Sequence, residues 1–431
     1  MASELPQVAP QAGLAARKRV LLYASLAVGL AYLPWYNYSA VLPLVRGEFA
    51  LSASDAGLIL SSFQLGYVVV VLLTGLLTDR VGARVILLVS TLVTGAASAG
   101  FGLFAHDFTS ALFWRLMVGA GCGGLYVPGL ALLSEWFAPR ERGMALGTYT
   151  AAVSVAYAGA YFVTGQLASA ADWRTAILLT SLPCFLAAAI YWRFVKRAPA
   201  RETPVPLGRR SRGVGSPGRG TVVAAALLTL AYCAHMWEAY GFFGWVGPFF
   251  TAAATNNGFA GPQAVGVGAT LAAVSIVVGA VGPWGGGILA DRIGRSQSIV
   301  LLLGISIPCS LTFGWLVQAP LAGSLALGLI YGTFVMADSA IFKAGLTELL
   351  PAHVRATALA VQSALGFGVS VVSPAVFGLI LDVTNPGGAG AAPAVWGWAF
   401  VCLGLGALVG PLAIAALRVL PEGKSMGGGK G

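Results

Sequence analysis

The chain has 431 residues, of which 58% are hydrophobic and 9% charged, with a mean hydropathy of +0.83. Soluble domains carry roughly a quarter charged residues, so this composition excludes a water-soluble protein and puts most of the chain in lipid. The formal net charge of +10 would suit nucleic acid, but most of the cations fall in short segments on one side of the apolar runs, which is the positive-inside bias of a membrane protein and leaves nucleic acid out as a partner.

The apolar residues come in runs of about 20 or more, the length that crosses a hydrocarbon core of roughly 30 Å. Arg17, Lys18 and Arg19 precede the first run and set the N-terminus on the cytoplasmic side. That run is too long for a signal peptide and lacks a small-residue cleavage pattern, so it is kept as a helix. Helices are expected over 20–45, 56–78, 83–105, 109–137, 143–168 and 172–194, then 221–250, 262–290, 296–318, 321–350, 354–380 and 393–418.

Helix one is rich in aromatics, with Tyr32, Trp35, Tyr36, Asn37 and Tyr38 beside Pro34. Helix two adds Gln64 and Tyr67 and ends in Asp79, Arg80 and Arg84. Helix four carries Arg115, Cys122 and Tyr126 at helical spacing, and ends in Glu135 before Arg142. Arg115 either binds an anionic substrate or sits in a fixed network with backbone carbonyls and a neighbouring acid. Helix five supplies Tyr157. After helix six comes a stretch from Arg201 to Gly220, rich in Pro, Gly, Ser and Arg, which reads as a flexible basic linker facing anionic lipid.

In helix seven Tyr232, His235, Glu238 and Phe242 recur at spacings that share one face, with Trp237 and Tyr240 as further polar-tipped aromatics. Helix ten repeats the design with Tyr331, Phe334, Asp338 and Phe342. Ionisable residues in mid-span are costly in lipid and face the protein interior or a cavity, so these few carry most of the functional information. Glu238 and Asp338 are the candidate proton-coupling residues. The competing structural reading pairs Glu238 with His235, or Asp338 with Lys343. Tyr36, Asn37, Gln64, Arg115, Tyr126, Tyr157, Tyr232, His235, Trp237 and Tyr240 are the candidate substrate-binding residues, suited to a pocket with apolar walls and a few hydrogen bonds.

The two halves are related. The run from Gly75 through Asp79 and Arg80 to Gly82 returns as Gly287 through Asp291 and Arg292 to Gly294, and Glu135 with Arg142 returns at nearly the same interval as Glu348 with Arg355. This Gly-x-x-x-Asp-Arg-x-Gly pattern after helices two and eight resembles the signature loop of the major facilitator superfamily, and Arg115-x-x-x-Gly119-x-Gly121 resembles that family's second motif. Each loop keeps one of the family's two usual basic residues, Arg84 and Arg295. The glycine-proline motif of drug-proton antiporters is absent from helix five, which argues against drug antiport.

The resemblance implies an all-α polytopic fold of twelve helices in two pseudo-symmetric six-helix bundles, each with inverted three-helix repeats, working by alternating access. The bundles are placed at 1–200 and 221–431, joined by a cytoplasmic linker at 201–220. It further implies that helices one, four, seven and ten line a central cavity, which Glu238 and Asp338 would then face. Asp79, Arg80, Arg84, Asp291, Arg292, Arg295, Glu135, Arg142, Glu348 and Arg355 would form a gating latch that holds the cytoplasmic side closed in the outward-facing state.

Several letter matches carry no chemistry. Gly119-x-Gly121-x-x-Gly124 lies in mid-span with no preceding strand, so close helix packing explains it better than a dinucleotide. Asn37-Tyr38-Ser39 falls inside a helix, and the glycines before Lys430 lack the spacing of a phosphate loop. The five cysteines sit in apolar runs and read as core residues, and no nucleotide, cofactor or metal signal is visible. The expectation is a multi-pass protein of a plasma or inner membrane with both termini cytoplasmic, functional as a monomer. It is a transporter, not an enzyme, and moves a small organic solute, carboxylate or aromatic in type, with protons. The alternative is proton-driven efflux of amphipathic compounds.

Overall fold

The computed structural model describes residues 13–195, 217–387, 390 and 392–429. The expected linker therefore lies outside the described residues except for its last four positions, and so does the side chain of Asp79. Among the described residues there is no strand, and twelve helices are long and apolar enough to cross a membrane. In chain order spans one to six are Leu14–Glu48, Ala53–Thr74, Ala83–Phe104, Phe108–Trp136, Glu141–Ala170 and Trp173–Arg193. Spans seven to twelve are Arg219–Asn256, Gly261–Ile293, Arg295–Gln318, Leu321–Leu349, His353–Thr384 and Gly397–Val419.

Local chemistry sets the ends. Ser52 caps span two in a reciprocal box with Asp55, and Asp107 and Asp172 cap spans four and six. The Ser110 hydroxyl and amide hold the Asp107 carboxyl below the usual carboxylate range, and Thr175 does the same for Asp172. Gly82 and Gly294, at φ of 88° and 96°, make the equivalent tight turns after spans two and eight, a conformation that needs glycine. The last span begins at Gly397, a few residues later than its apolar pattern suggests, because Pro393 to Trp396 form a bend held by Asn385.

Five spans are broken, each where the sequence withholds a backbone bond or adds a polar group. Span one breaks before Pro34, which has no N–H to give. Span four breaks at Gly124, span eight between Gly279 and Gly282, span ten at Asp338, and span twelve at Leu408, three residues before Pro411. Outward-facing Leu72, Val155, Leu186, Trp284, Leu405 and Leu412 are exposed around the perimeter, where lipid replaces water.

The packing repeats itself. Spans two and four pack through glycine: a side chain at Gly119 would strike the carbonyl of Phe63, and one at Gly66 that of Leu116. Spans three and six, and one and six, complete the first half, with spans eight and ten, nine and twelve, and seven and twelve in matching roles. The halves meet where span two crosses span eleven and span five crosses span eight. These contacts gather toward the side away from the linker. Gly57 touches Pro374, Gly378 touches Ala53, Gly165 touches Ala269, and Gln166 donates to the carbonyl of Gly266 at 3.0 Å. At that far end the Asp382 carboxylate of span eleven accepts bonds from Ala53 N, Ser54 N and Ser54 Oγ at 2.7, 2.7 and 2.5 Å. One apolar core runs through both halves, whereas a second core on the linker side contains only residues of the later half. The molecule is thus sealed on the far side, and its halves keep separate cores toward the linker.

Candidate functional site

The broken first span sets up the centre. Arg115 of span four is 1% exposed, and its guanidinium donates to the carbonyls of Pro34 and Trp35 at 3.0 and 3.1 Å and to Asn37 Oδ1 at 3.2 Å. Its charge lies 4.6 Å from the ring centre of Phe63 and 5.4 Å from that of Tyr38. No carboxylate forms an ion pair with it among the described residues. Three carbonyl-type acceptors and two rings soften the cost of a buried cation without neutralising it.

Beside it is a cavity with about 10 Å³ of water-accessible space, room for about one water. Both halves line it: Trp35, Tyr36, Ser39, Gln64 and Arg115 on one side, Tyr240, Gly244 and Pro374 on the other. Two buried polar atoms, Arg115 Nε and Gln64 Oε1, have no partner here, and Ser39 Oγ and Trp35 Nε1 lie near the Tyr161 and Tyr36 hydroxyls without a well-formed hydrogen bond. Buried polar groups are nearly always satisfied, so a converging set of orphans marks a place where something else supplies the bonds. Around it Tyr36 stands 5.1 Å from Tyr157, 5.4 Å from Tyr161 and 6.1 Å from Phe243 between ring centres, and Tyr67 meets Phe367 at 5.3 Å. In this state residues of both halves close around this cavity, which is too small for a solute.

The structure brings Tyr36, Gln64, Arg115 and Tyr240 to this cavity, with Tyr157 against Tyr36. Asn37 is turned away into the first half, where its amide donates to Ser98 Oγ at 3.1 Å and Thr180 Oγ1 at 3.4 Å. Its Oδ1 accepts from Arg115, and it does not line this cavity. Tyr126 bonds Thr150 at 3.0 Å, Trp237 donates to the carbonyl of Cys402 at 3.3 Å, and Tyr232 packs on Phe342, so these three stand elsewhere.

The mid-span ionisable groups form a second cluster, inside the later half. His235 Nδ1 lies 2.8 Å from Asp338 Oδ1, both 2% exposed or less, a close contact that is an ion pair when the imidazole is protonated and whose angle is poor for a hydrogen bond. Asp338 occupies the break in span ten, so its position is fixed by the helix end itself. Glu238, one turn from His235, accepts from Ser306 Oγ of span nine at 2.6 Å. Neither carboxylate lines the central cavity in this conformation. The partners also differ from the pairs suggested by the sequence: Asp338 meets His235 rather than Lys343, and Glu238 meets Ser306.

The gating residues whose bonds are resolved among the described residues, Arg84, Arg142, Asp291, Arg295, Glu348 and Arg355, bond within their own halves. Arg84 donates to the carbonyls of Tyr191 and Trp192, and Arg295 bridges Asp291 at 2.7 Å and Glu348 at 3.0 Å. Arg142 Nε donates to the carbonyl of Phe137 at 3.1 Å and Arg355 Nε to that of Leu350 at 2.8 Å, the same cap on the same helix end in each half. Arg80, Arg292 and Glu135 are exposed. The Asp382 bond across the halves, the span-eleven residues Phe367 and Pro374, and Ser306 give no signal in the sequence, since an acid near a helix end and a serine in an apolar run are commonplace.

The Major Facilitator Superfamily profile matches residues 24–411. The hexuronate transporter of Bacillus subtilis is 25% identical over 384 residues, covering 85% of this chain and 88% of its own. A probable sulfoacetate transporter of Cupriavidus necator is 25% identical over 390 residues, covering 86% and 88%. Among solved structures, a bacterial homologue of the human lysosomal transporter Spinster, in an inward-facing and occupied conformation, superposes with a TM-score of 0.76 at 18% identity, over 95% of this chain and 97% of that one.

Proposed function

The chain belongs to the Major Facilitator Superfamily and is a multi-pass membrane transporter, and from that premise we propose that it carries a small organic carboxylate together with protons. The observation that carries the reading is Arg115: a fully buried cation with no paired acid, beside a cavity between the halves where Gln64, Ser39 and Trp35 hold polar atoms without a well-formed hydrogen bond. A carboxylate fits that set, because the Nε and remaining Nη2 hydrogens of Arg115 make a fork for its oxygens and the Trp35 indole N–H can donate to one of them, while the Gln64 amide oxygen can accept from a hydroxyl of the solute. Two relatives are named a hexuronate transporter and a probable sulfoacetate transporter, and both of those named solutes are small organic acids.

The half 1–200 rocks against 221–431 about this centre in a single protomer, with the termini and linker in the cytoplasm of a plasma or inner membrane. Glu238, His235 and Asp338 carry the proton, exchanging it as the later half rearranges around span ten's break. The latch residues engage across the halves only when the linker side closes.

Purified protein in vesicles should accumulate labelled glucuronate under an inward proton gradient. Glu238→Gln should lose accumulation yet keep glucuronate exchange, since exchange needs no net proton movement. Gradient-driven uptake left intact in both Glu238→Gln and Asp338→Asn would refute the coupling assignment. A second reading, proton-driven efflux of amphipathic compounds, is favoured by the aromatic cluster of Tyr36, Tyr157, Tyr161 and Phe243. It would be preferred if lipophilic cations, and not glucuronate, exchanged.

A further inference from the structure

A second cavity lies on the sealed far side, between the end of span one and spans seven and eight, beneath the loop before span twelve. Its water-accessible volume is about 220 Å³, below the usual range for drug-sized ligands and suited to a small molecule. It shares no lining residue with the Arg115 cavity. Leu42, Trp245, Pro248, Val265 and Trp396 make an apolar wall, and among the described residues Arg46 is the one charged side chain that lines it.

Arg46 is 6% exposed, and its Nε has no hydrogen-bond partner. The acids whose charge reaches it, Asp382 and Asp55, are both engaged elsewhere: Asp382 by the amides of Ala53 and Ser54, Asp55 by the amide of Ser52 at 3.0 Å. Neither forms an ion pair with Arg46 among the described residues. The other side-chain donors around the cavity are spent. Trp245 Nε1 gives its hydrogen to the carbonyl of Pro374 and Trp396 Nε1 to that of Pro393, each at 3.0 Å. The hydroxyls of Thr251 and Thr255 donate to the carbonyls of Gly247 and Thr251, each at 3.0 Å, and offer only lone pairs inward. Among the described residues the cavity therefore presents one cation, compensated only at a distance, against indole, proline and aliphatic surface.

We propose that this is a second anion-binding site, taking a small carboxylic acid with an apolar body, separate from the central site and occupied while the far side is closed. The carboxylate would be held by the guanidinium, and the body would lie against Trp245 and Trp396. A buried charge with no ion pair or hydrogen bond of its own is costly, so a ligand that supplies one gains more than a surface contact would. The same anionic oxygens could be offered by a lipid headgroup, but the apolar wall and small volume favour a free acid.

The test counts benzoate bound to the full chain in zwitterionic phosphatidylcholine nanodiscs by equilibrium dialysis. Arg46→Gln should lose one equivalent, or bind it at least tenfold more weakly, with an unchanged thermal transition, while Arg46→Lys keeps it. Neutral benzyl alcohol should not compete. Counting in an Arg115→Gln background isolates this equivalent from the central site, so failure of the central reading leaves the outcome legible. The proposal is overturned if Arg46→Gln binds as the wild type does. It is equally overturned if Arg46→Lys loses as much as Arg46→Gln, or if anionic phosphatidylglycerol in the discs displaces the benzoate.

Discussion

Asp382→Asn isolates the bond that closes the far side. The three groups facing the carboxylate, Ala53 N–H, Ser54 N–H and Ser54 O–H, are all donors. Asparagine keeps one acceptor oxygen but turns an NH₂ toward donors and removes the charge that complements the positive end of span two. Each charge-assisted bond is worth about 1.5–3 kcal/mol net, but Asp382 is only half-buried and water compensates part of the loss, so a total of about 1–3 kcal/mol is expected. The bond joins the two halves only when the far side is shut, so its loss destabilises that state and not the open one. An equilibrium shift of about 1–3 kcal/mol is about 5- to 150-fold. Nitroxides on exposed His106, between spans three and four, and Gln318, at the end of span nine, would report the width of the far mouth by pulsed dipolar spectroscopy. The variant should populate a longer distance that is rare in the parent. A distribution indistinguishable from the parent's, in protein of unchanged thermal stability, would refute the latch.

Gly57→Leu should prevent closure altogether, because even a Cβ there would meet the backbone of Pro374; net uptake should vanish while the protein stays monodisperse, and uptake at parental rates would count against the packing. Arg115→Lys keeps the charge but not the fork that reaches Pro34, Trp35 and Asn37, so glucuronate affinity measured by scintillation proximity should fall by about tenfold, which is about 1.4 kcal/mol. Arg142→Ala and Arg355→Ala remove the same cap from equivalent helix ends, so each should cost about 0.5–1.5 kcal/mol in unfolding titrations, and a large effect at only one of them would argue against equivalence of the halves. Cysteines introduced at His106 and at Gly218 should label from opposite faces of the membrane, the first from outside and the second from the cytoplasm; the reverse pattern would invert the proposed orientation.

Span positions were legible in the sequence because a bilayer demands about 20 apolar residues in a row whatever the neighbours are. The duplication was legible for a related reason: Gly82 and Gly294 need positive φ, and Arg142 and Arg355 cap one carbonyl each, so both copies keep their local signals. The glycines of span four announced close packing, and the structure shows Gly119 against the backbone of span two. That Arg115 had two readings was legible as well, and it sits in the carbonyl network while still lacking an acid.

Pairing across spans was decided only by the tertiary structure. Helical periodicity places Glu238 and His235 on one face, but whether that face meets the central cavity or spans nine and ten depends on the rotation of span seven within its bundle. No local preference sets that rotation, and the structure turns it toward Ser306 and Asp338. Asp382 and Arg46 were silent for the same reason. Each lies at a span end, where a charged residue is ordinary, and each acquires meaning only from what another part of the chain brings beside it: two backbone amides of span two for Asp382, and for Arg46 an apolar cavity walled by spans seven and eight. Composition and period are properties of one segment in its solvent, whereas a site is a coincidence of segments, fixed by how the helices pack.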